Sequence, residues 1–115
     1  MKELLKQYCK LNSIKIEDIE GDSRKKGISQ HRHIYSFCIR KAFPHIKLWQ
    51  IETTLNKAQV NYGVSNITHL LEPIIKNGKI MPDSPEVVII KKRVKLFLAV
   101  CAKYKKSDIK VPLEK

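Results

Sequence analysis

Apolar residues along this chain recur mostly at intervals of three and four, so the pattern predicts helices throughout. Leu4, Leu5, Tyr8 and Cys9 predict a first helix over residues 3–12. Ile14, Ile16 and Ile19 then fall in a short acidic connector, SIKIEDIEG, that ends at Gly21. Residues 22–28, DSRKKGI, show no periodicity and read as an exposed loop. Ser29 is the expected N-cap of a second helix, with Ile34, Phe37, Cys38 and Ala42 inward. Pro44 ends that helix, because proline cannot continue the hydrogen-bond ladder.

Leu48, Ile51 and Leu55 define a third helix of about ten residues, which NKAQVNYG separates from a fourth. In the fourth, Ile67, Leu70, Leu71, Ile74 and Ile75 make one apolar stripe, with Ser65, Asn66, His69 and Pro73 opposite. Pro73 is accommodated near its C-terminal end as a kink, and NGKIMPD reads as a loop. Ser84-Pro85-Glu86 opens a last helix with an N-cap, a proline at the first position and an acid near the dipole's positive end. Val87, Ile90, Val94, Phe97, Leu98, Cys101 and Tyr104 carry it to about residue 106. The expected fold is all-α: one domain over residues 1–106, a small bundle of about five helices with a long C-terminal helix. It contains a helix-turn-helix over about residues 47–76, and residues 107–115 are read as a flexible tail.

Charge adds a direction to this picture. The formal net charge is +12 over 115 residues, which points to a polyanionic partner. Residues 23–47 carry seven Lys or Arg and no acid, whereas residues 1–22 carry four Lys against five acids. The cations are therefore local, and clustered cations bind a phosphate backbone by releasing its counterions. No apolar run approaches the ~20 residues of a membrane span, and the start MKELLKQYCK lacks a signal-peptide core, so no membrane is expected. Cys9, Cys38 and Cys101 are far apart, odd in number and on apolar stripes, as reduced core residues of a cytoplasmic protein would be.

Little else suggests chemistry. His31 and His33 stand about 200° apart around a helix, with no ligand-spaced Cys or carboxylate, so no metal site is expected. They either meet phosphate or sit in solvent; His69 either meets base edges or is solvated. Trp49 is read as core or interface before a stacking platform, and Lys91, Lys92, Arg93 and Lys95 as a solvated face or a rival basic surface. No phosphate loop, carboxylate pair or nucleophile elbow is present, so neither an enzyme nor a nucleotide cofactor is expected.

Residues 3–76, about two thirds of the chain, resemble the C-terminal DNA-binding domain (domain IV) of the bacterial replication initiator DnaA. That family reads as a helix, a V-x-x-x-D-[LI] connector, a basic loop and a helix beginning near A-R-x. Here these are IKIEDIEG, DSRKKGIS and QHRHIYSFCIRKAF. The family's S-L-P-E-I-x-x-x-F-G is similar to the run from Lys47-Leu48-Trp49-Gln50-Ile51 to Leu55-Asn56, and D-H-T-T-V-x-H falls on Gly63 to His69. The resemblance implies a helical bundle on duplex DNA, with the basic loop at the minor groove and a recognition helix in the major groove. It places Gln30 at the minor-groove arginine, Arg32 at the arginine that follows, and Arg40 at a phosphate-contacting position. Ser65 and Asn66 take the places of two threonines. Gly63 and Val64 replace an Asp-His pair and KAQVNY lengthens the turn, so duplex binding is what carries over.

The expected partner is double-stranded DNA. Arg24, Lys25, Lys26 and Arg40 would meet phosphates, with Ser65, Asn66 and His69 on bases and Val64 against a thymine methyl. The ATPase module of the initiator has no counterpart here, so an accessory or regulatory role in replication or on a mobile element is expected. The rivals are a protein-interaction module or homodimer using the last helix, and a structured-RNA binder.

Overall fold

The apolar periodicity folds into six helices in the computed structural model, which describes residues 2–21, 27–55, 60–105 and 109. They are α1 (Lys2–Leu11), α2 (Ile16–Glu20), α3 (Ile28–Ala42), α4 (Leu48–Leu55), α5 (Val60–Leu71) and α6 (Pro85–Cys101). Two short strands, β1 (Ile75–Lys76) and β2 (Lys79–Ile80), pair antiparallel between α5 and α6. The fold is all-α apart from this hairpin.

α1 and α6 follow their stripes closely. Leu4, Leu5, Tyr8 and Cys9 are buried along α1, and Ile90, Val94, Phe97 and Cys101 along α6. Ser84 caps α6, its hydroxyl accepting from the Val87 amide at 3.3 Å, and Pro85 takes the first position. α6 ends at Cys101 rather than near residue 106, yet Tyr104 and Ile109 still pack half-buried against the core. The remainder of the expected tail lies outside the described residues.

Several expectations are corrected. The acidic connector contains a helix, α2, because Ile19 is fully buried while Glu17 and Asp18 occupy the first turn, where the dipole favours acids. α3 starts at Ile28 with Gly27 as its N-cap rather than Ser29; Gly27 has φ 102°, a conformation that a β-carbon opposes. α5 starts at Val60, so Val60, Asn61, Tyr62 and Gly63 are helical rather than part of a turn. Its apolar stripe stops at Leu71, and Ile74 and Ile75 are 63% exposed. Pro73 lies beyond the helix end and kinks nothing.

The segment read as a loop after Pro73 is the β1–β2 hairpin. Ile75 pairs with Ile80 and Lys76 with Lys79, leaving Asn77 and Gly78 as the two-residue connection. Their φ values of 51° and 76° are both positive, as a type I′ turn requires and as Asn-Gly favours.

α3 lies at the centre, packed against α2, α4, α5 and α6. The mainly aliphatic core beneath it holds an aromatic cluster. Tyr8 meets Phe97 edge-on at 4.9 Å between centroids and Tyr35 at 5.8 Å. Cys9, Cys38 and Cys101 are buried, unpaired thiols, as expected. Burial pushes Cys9 up to about 11 and Cys101 up to about 12, so both stay protonated at neutral pH. Trp49 is half-buried on α4.

Candidate nucleic-acid interface

α5 turns one face to the core and one to solvent. Val60, Gly63 and Ile67 are buried, while Val64, Leu70 and Leu71 are half-buried against the core. The outward face carries Asn61, Tyr62, Ser65, Thr68 and His69, all exposed, with Tyr62 64% exposed. Thr68 donates its hydroxyl hydrogen to the Val64 carbonyl at 2.8 Å, and His69 Nδ1 lies 3.7 Å from Glu72 Oε2. No residue from Asn61 to Thr68 is charged, so this row offers donors, acceptors and methyl groups.

Of the four α5 residues anticipated, Ser65 and His69 stand on the outward row. Asn66 is on the flank, half-buried, with Nδ2 3.5 Å from His33 Nδ1 across the α3–α5 seam. Val64 packs against the core, which limits its methyls as a thymine contact. Asn61, Tyr62 and Thr68 were missed. The spacing of Val60, Val64, Ile67 and Leu71 extends the helix backwards far enough to have found the first two.

The seam holds α5 close to α3. His33 sits against Gly63, and its ring meets Tyr62 edge-on at 5.7 Å. Burial, and then the Arg32 charge, lower the His33 pKa from its ordinary value. His31, expected at phosphate or in solvent, is instead buried, with Nδ1 2.7 Å from the Tyr8 hydroxyl. Burial first, and Arg93 second, bring it down to about 4, so the imidazole is neutral at physiological pH.

The anticipated polar side chains of α3 lie within the scaffold. Arg32 donates from Nε to the Ile19 carbonyl at 2.7 Å, and from Nη2 to Asp18 at 2.9 Å and Gly21 at 2.8 Å. It thereby satisfies carbonyls that the end of α2 leaves open. Arg40 donates to the carbonyls of Pro44 and Ile46, bracing the α3–α4 connection. Gln30 joins α3 to α6, donating to Glu86 Oε1 at 3.1 Å and accepting from Arg93 Nη1 at 3.4 Å. Arg24, Lys25 and Lys26 lie outside the described residues.

Elsewhere, Lys92 and Lys95 are exposed on α6, and Lys91 pairs with Asp83 at 2.7 Å. Among the described residues no group of three or more His, Cys, Asp or Glu is placed to hold a metal ion. No helix among them is long and apolar enough to cross a membrane. No protein-family model matches the chain, and comparisons with curated proteins and with solved structures give no match.

Proposed function

We propose that this chain binds double-stranded DNA through a helix-turn-helix of α4 and α5, with α5 lying in the major groove. The observation that carries this reading is the outward face of α5: Asn61, Tyr62, Ser65 and Thr68, uncharged and solvent-facing, on a chain of net charge +12. The division of labour suits duplex recognition. Clustered cations supply affinity that ignores sequence, and short polar side chains meet base edges. Asn61 has the amide to bond adenine bidentately, and Thr68 a methyl for thymine. Arg24, Lys25 and Lys26 supply phosphate contacts, while Arg32 and Arg40 keep α2 and α4 in place around α3. The resemblance of residues 3–76 to the initiator's DNA-binding domain supports the same groove. It also suggests an accessory or regulatory role in replication or on a mobile element, inside the cytoplasm, without catalysis.

A charge of the wrong sign on α5 tests this directly. Ser65→Glu should weaken binding to duplex DNA tenfold or more, by repulsion from phosphates and loss of a base-edge contact, with the melting temperature unchanged. Wild-type affinity in that variant would remove α5 from the interface.

A second reading rests on α6, where Val88, Ile89 and Leu96 are 53%, 49% and 45% exposed. These suit a protein-docking or homodimer face. Light scattering separates the two, since this reading requires a stable oligomer whose DNA affinity ignores α5.

A further inference from the structure

The β1–β2 hairpin is an expensive feature for a small fold to carry. Every residue from Glu72 to Glu86 is exposed, including Ile74, Ile75, Ile80 and Met81, and Ile80 is 73% exposed. A two-stranded hairpin this short is marginal in water and here adds nothing to the core. Its register makes matters worse. Lys76 and Lys79 are direct cross-strand partners, which places like charges side by side. Residues 73–81 contain no acid, and the carboxylates that flank the hairpin are engaged elsewhere. Glu72 lies near His69, Asp83 pairs with Lys91, and Glu86 accepts from Gln30. Among the described residues no carboxylate pairs with either lysine.

We infer that the hairpin is a second nucleic-acid contact, in which Lys76 and Lys79 grip the phosphate backbone beside the groove that α5 enters. This rests on the duplex-DNA reading of α5 and adds a site to it. Adjacent phosphates are the ligand whose charge matches two uncompensated, neighbouring ammonium groups. Reach supports the placement. Leu71 ends α5 and Ile75 opens β1, so their Cα atoms are at most about 15 Å apart. The major groove is about 12 Å wide, so a hairpin within that distance of the end of a groove-bound helix can reach the flanking backbone. Successive strand residues face opposite sides, so the Ile75–Ile80 pair forms the face opposite the two lysines. In the inferred complex that exposed pair faces the adjoining minor groove, where apolar wedges are used by architectural DNA-binding proteins.

The test is the salt dependence of binding to a duplex of about 30 base pairs, for the intact chain and for Lys76→Ala/Lys79→Ala. Two lost phosphate contacts should make the log–log slope shallower by about 1.8 and weaken binding roughly tenfold or more at 0.1 M salt. Both residues are exposed, so circular dichroism should show the same fold. A slope equal to wild type, with wild-type binding intact, overturns the hairpin contact and leaves the α5 reading standing. Wild-type binding that ignores salt overturns both. A companion variant, Ile75→Ser/Ile80→Ser, should weaken binding without changing the slope. If it instead leaves binding untouched and converts a dimer to a monomer, the hairpin is a self-association surface and the inference fails.

Discussion

The imidazole of His33 on α3 lies so close to Gly63 on α5 that a β-carbon built on Gly63 would fall 2.6 Å from His33 Cδ2 and 3.2 Å from its Cα. The absence of a side chain at Gly63 therefore sets how closely the candidate recognition helix approaches the central helix. Alanine at a helical position would normally gain about 1 kcal/mol over glycine, but overpacking costs about 1–3 kcal/mol. Because backbone of α3 is among the atoms struck, the clash wins. Gly63→Ala should lower stability by up to about 2 kcal/mol, seen as a melting temperature lower by up to roughly 12 °C. Adding His33→Ala should recover part of that loss, since the two sites are in contact. A Gly63→Ala variant more stable than wild type would contradict the close approach.

Arg32 makes the next case. Its guanidinium donates to carbonyls of Asp18, Ile19 and Gly21, so it ties α2 to α3. Arg32→Ala should cost about 2–3 kcal/mol of stability, measured by urea denaturation, because charge-assisted bonds are lost and carbonyls exposed. The salt slope of DNA binding should stay unchanged. A slope shallower by about 0.9 with no loss of stability would make Arg32 a phosphate contact instead.

Helices α1 and α6 were legible because their stripes are long and regular, and α6 also has Ser84-Pro85-Glu86 at its start. α2 was not, since two isoleucines in five residues are too few to show a period. The first turn of α5 was hidden by Tyr62-Gly63, where glycine reads as a turn although close helix packing is what requires it. Ile74 and Ile75 continued the α5 stripe by spacing, so the hairpin was missed despite Asn77-Gly78 between two strand-forming pairs. The polar side of α5 was legible through Ser65 and His69. The intramolecular acceptors of Arg32, Arg40 and Gln30 were not legible, because sequence records a donor but not which acceptor the fold brings to it.

His31 imposes a pH dependence. Its pKa is about 4 in the fold, through burial and Arg93, against about 6.5 unfolded. A lowered pKa means the unfolded chain binds the extra proton first, so the stabilisation is complete above pH 6.5. It is lost progressively as pH falls from 6.5 towards 4, by about 3 kcal/mol in all. The lowered pKa of His33 acts in the same direction. Denaturation midpoints between pH 7.5 and 4.5 should show this decline, and it should be smaller in His31→Gln. An equal decline in both would place the titrating groups elsewhere.

The two core tyrosines should respond oppositely to loss of the hydroxyl. Tyr35 OH is fully buried with no hydrogen-bond partner among the described residues, whereas Tyr8 OH meets His31 Nδ1 at 2.7 Å. Tyr35→Phe should leave stability unchanged or raise it by about 1 kcal/mol, and Tyr8→Phe should lower it by about 1–2 kcal/mol. Thermal melts of the two variants check this, and a destabilised Tyr35→Phe would contradict it.

The central claim is that α5 reads duplex DNA, and the most direct measurement is selection of bound sequences from a random duplex pool. Wild type and an Asn61→Ala/Ser65→Ala variant would be compared in parallel. Both substitutions lie on the exposed row and leave Val60, Gly63 and Ile67 in place. The account predicts that wild type enriches a shared motif. It also predicts that the variant loses preference at one or more positions of that motif, by about 5- to 150-fold per lost bidentate contact, while binding random duplex nearly as well. Recovery of no motif, or of the same motif with the same preference from both proteins, would contradict it.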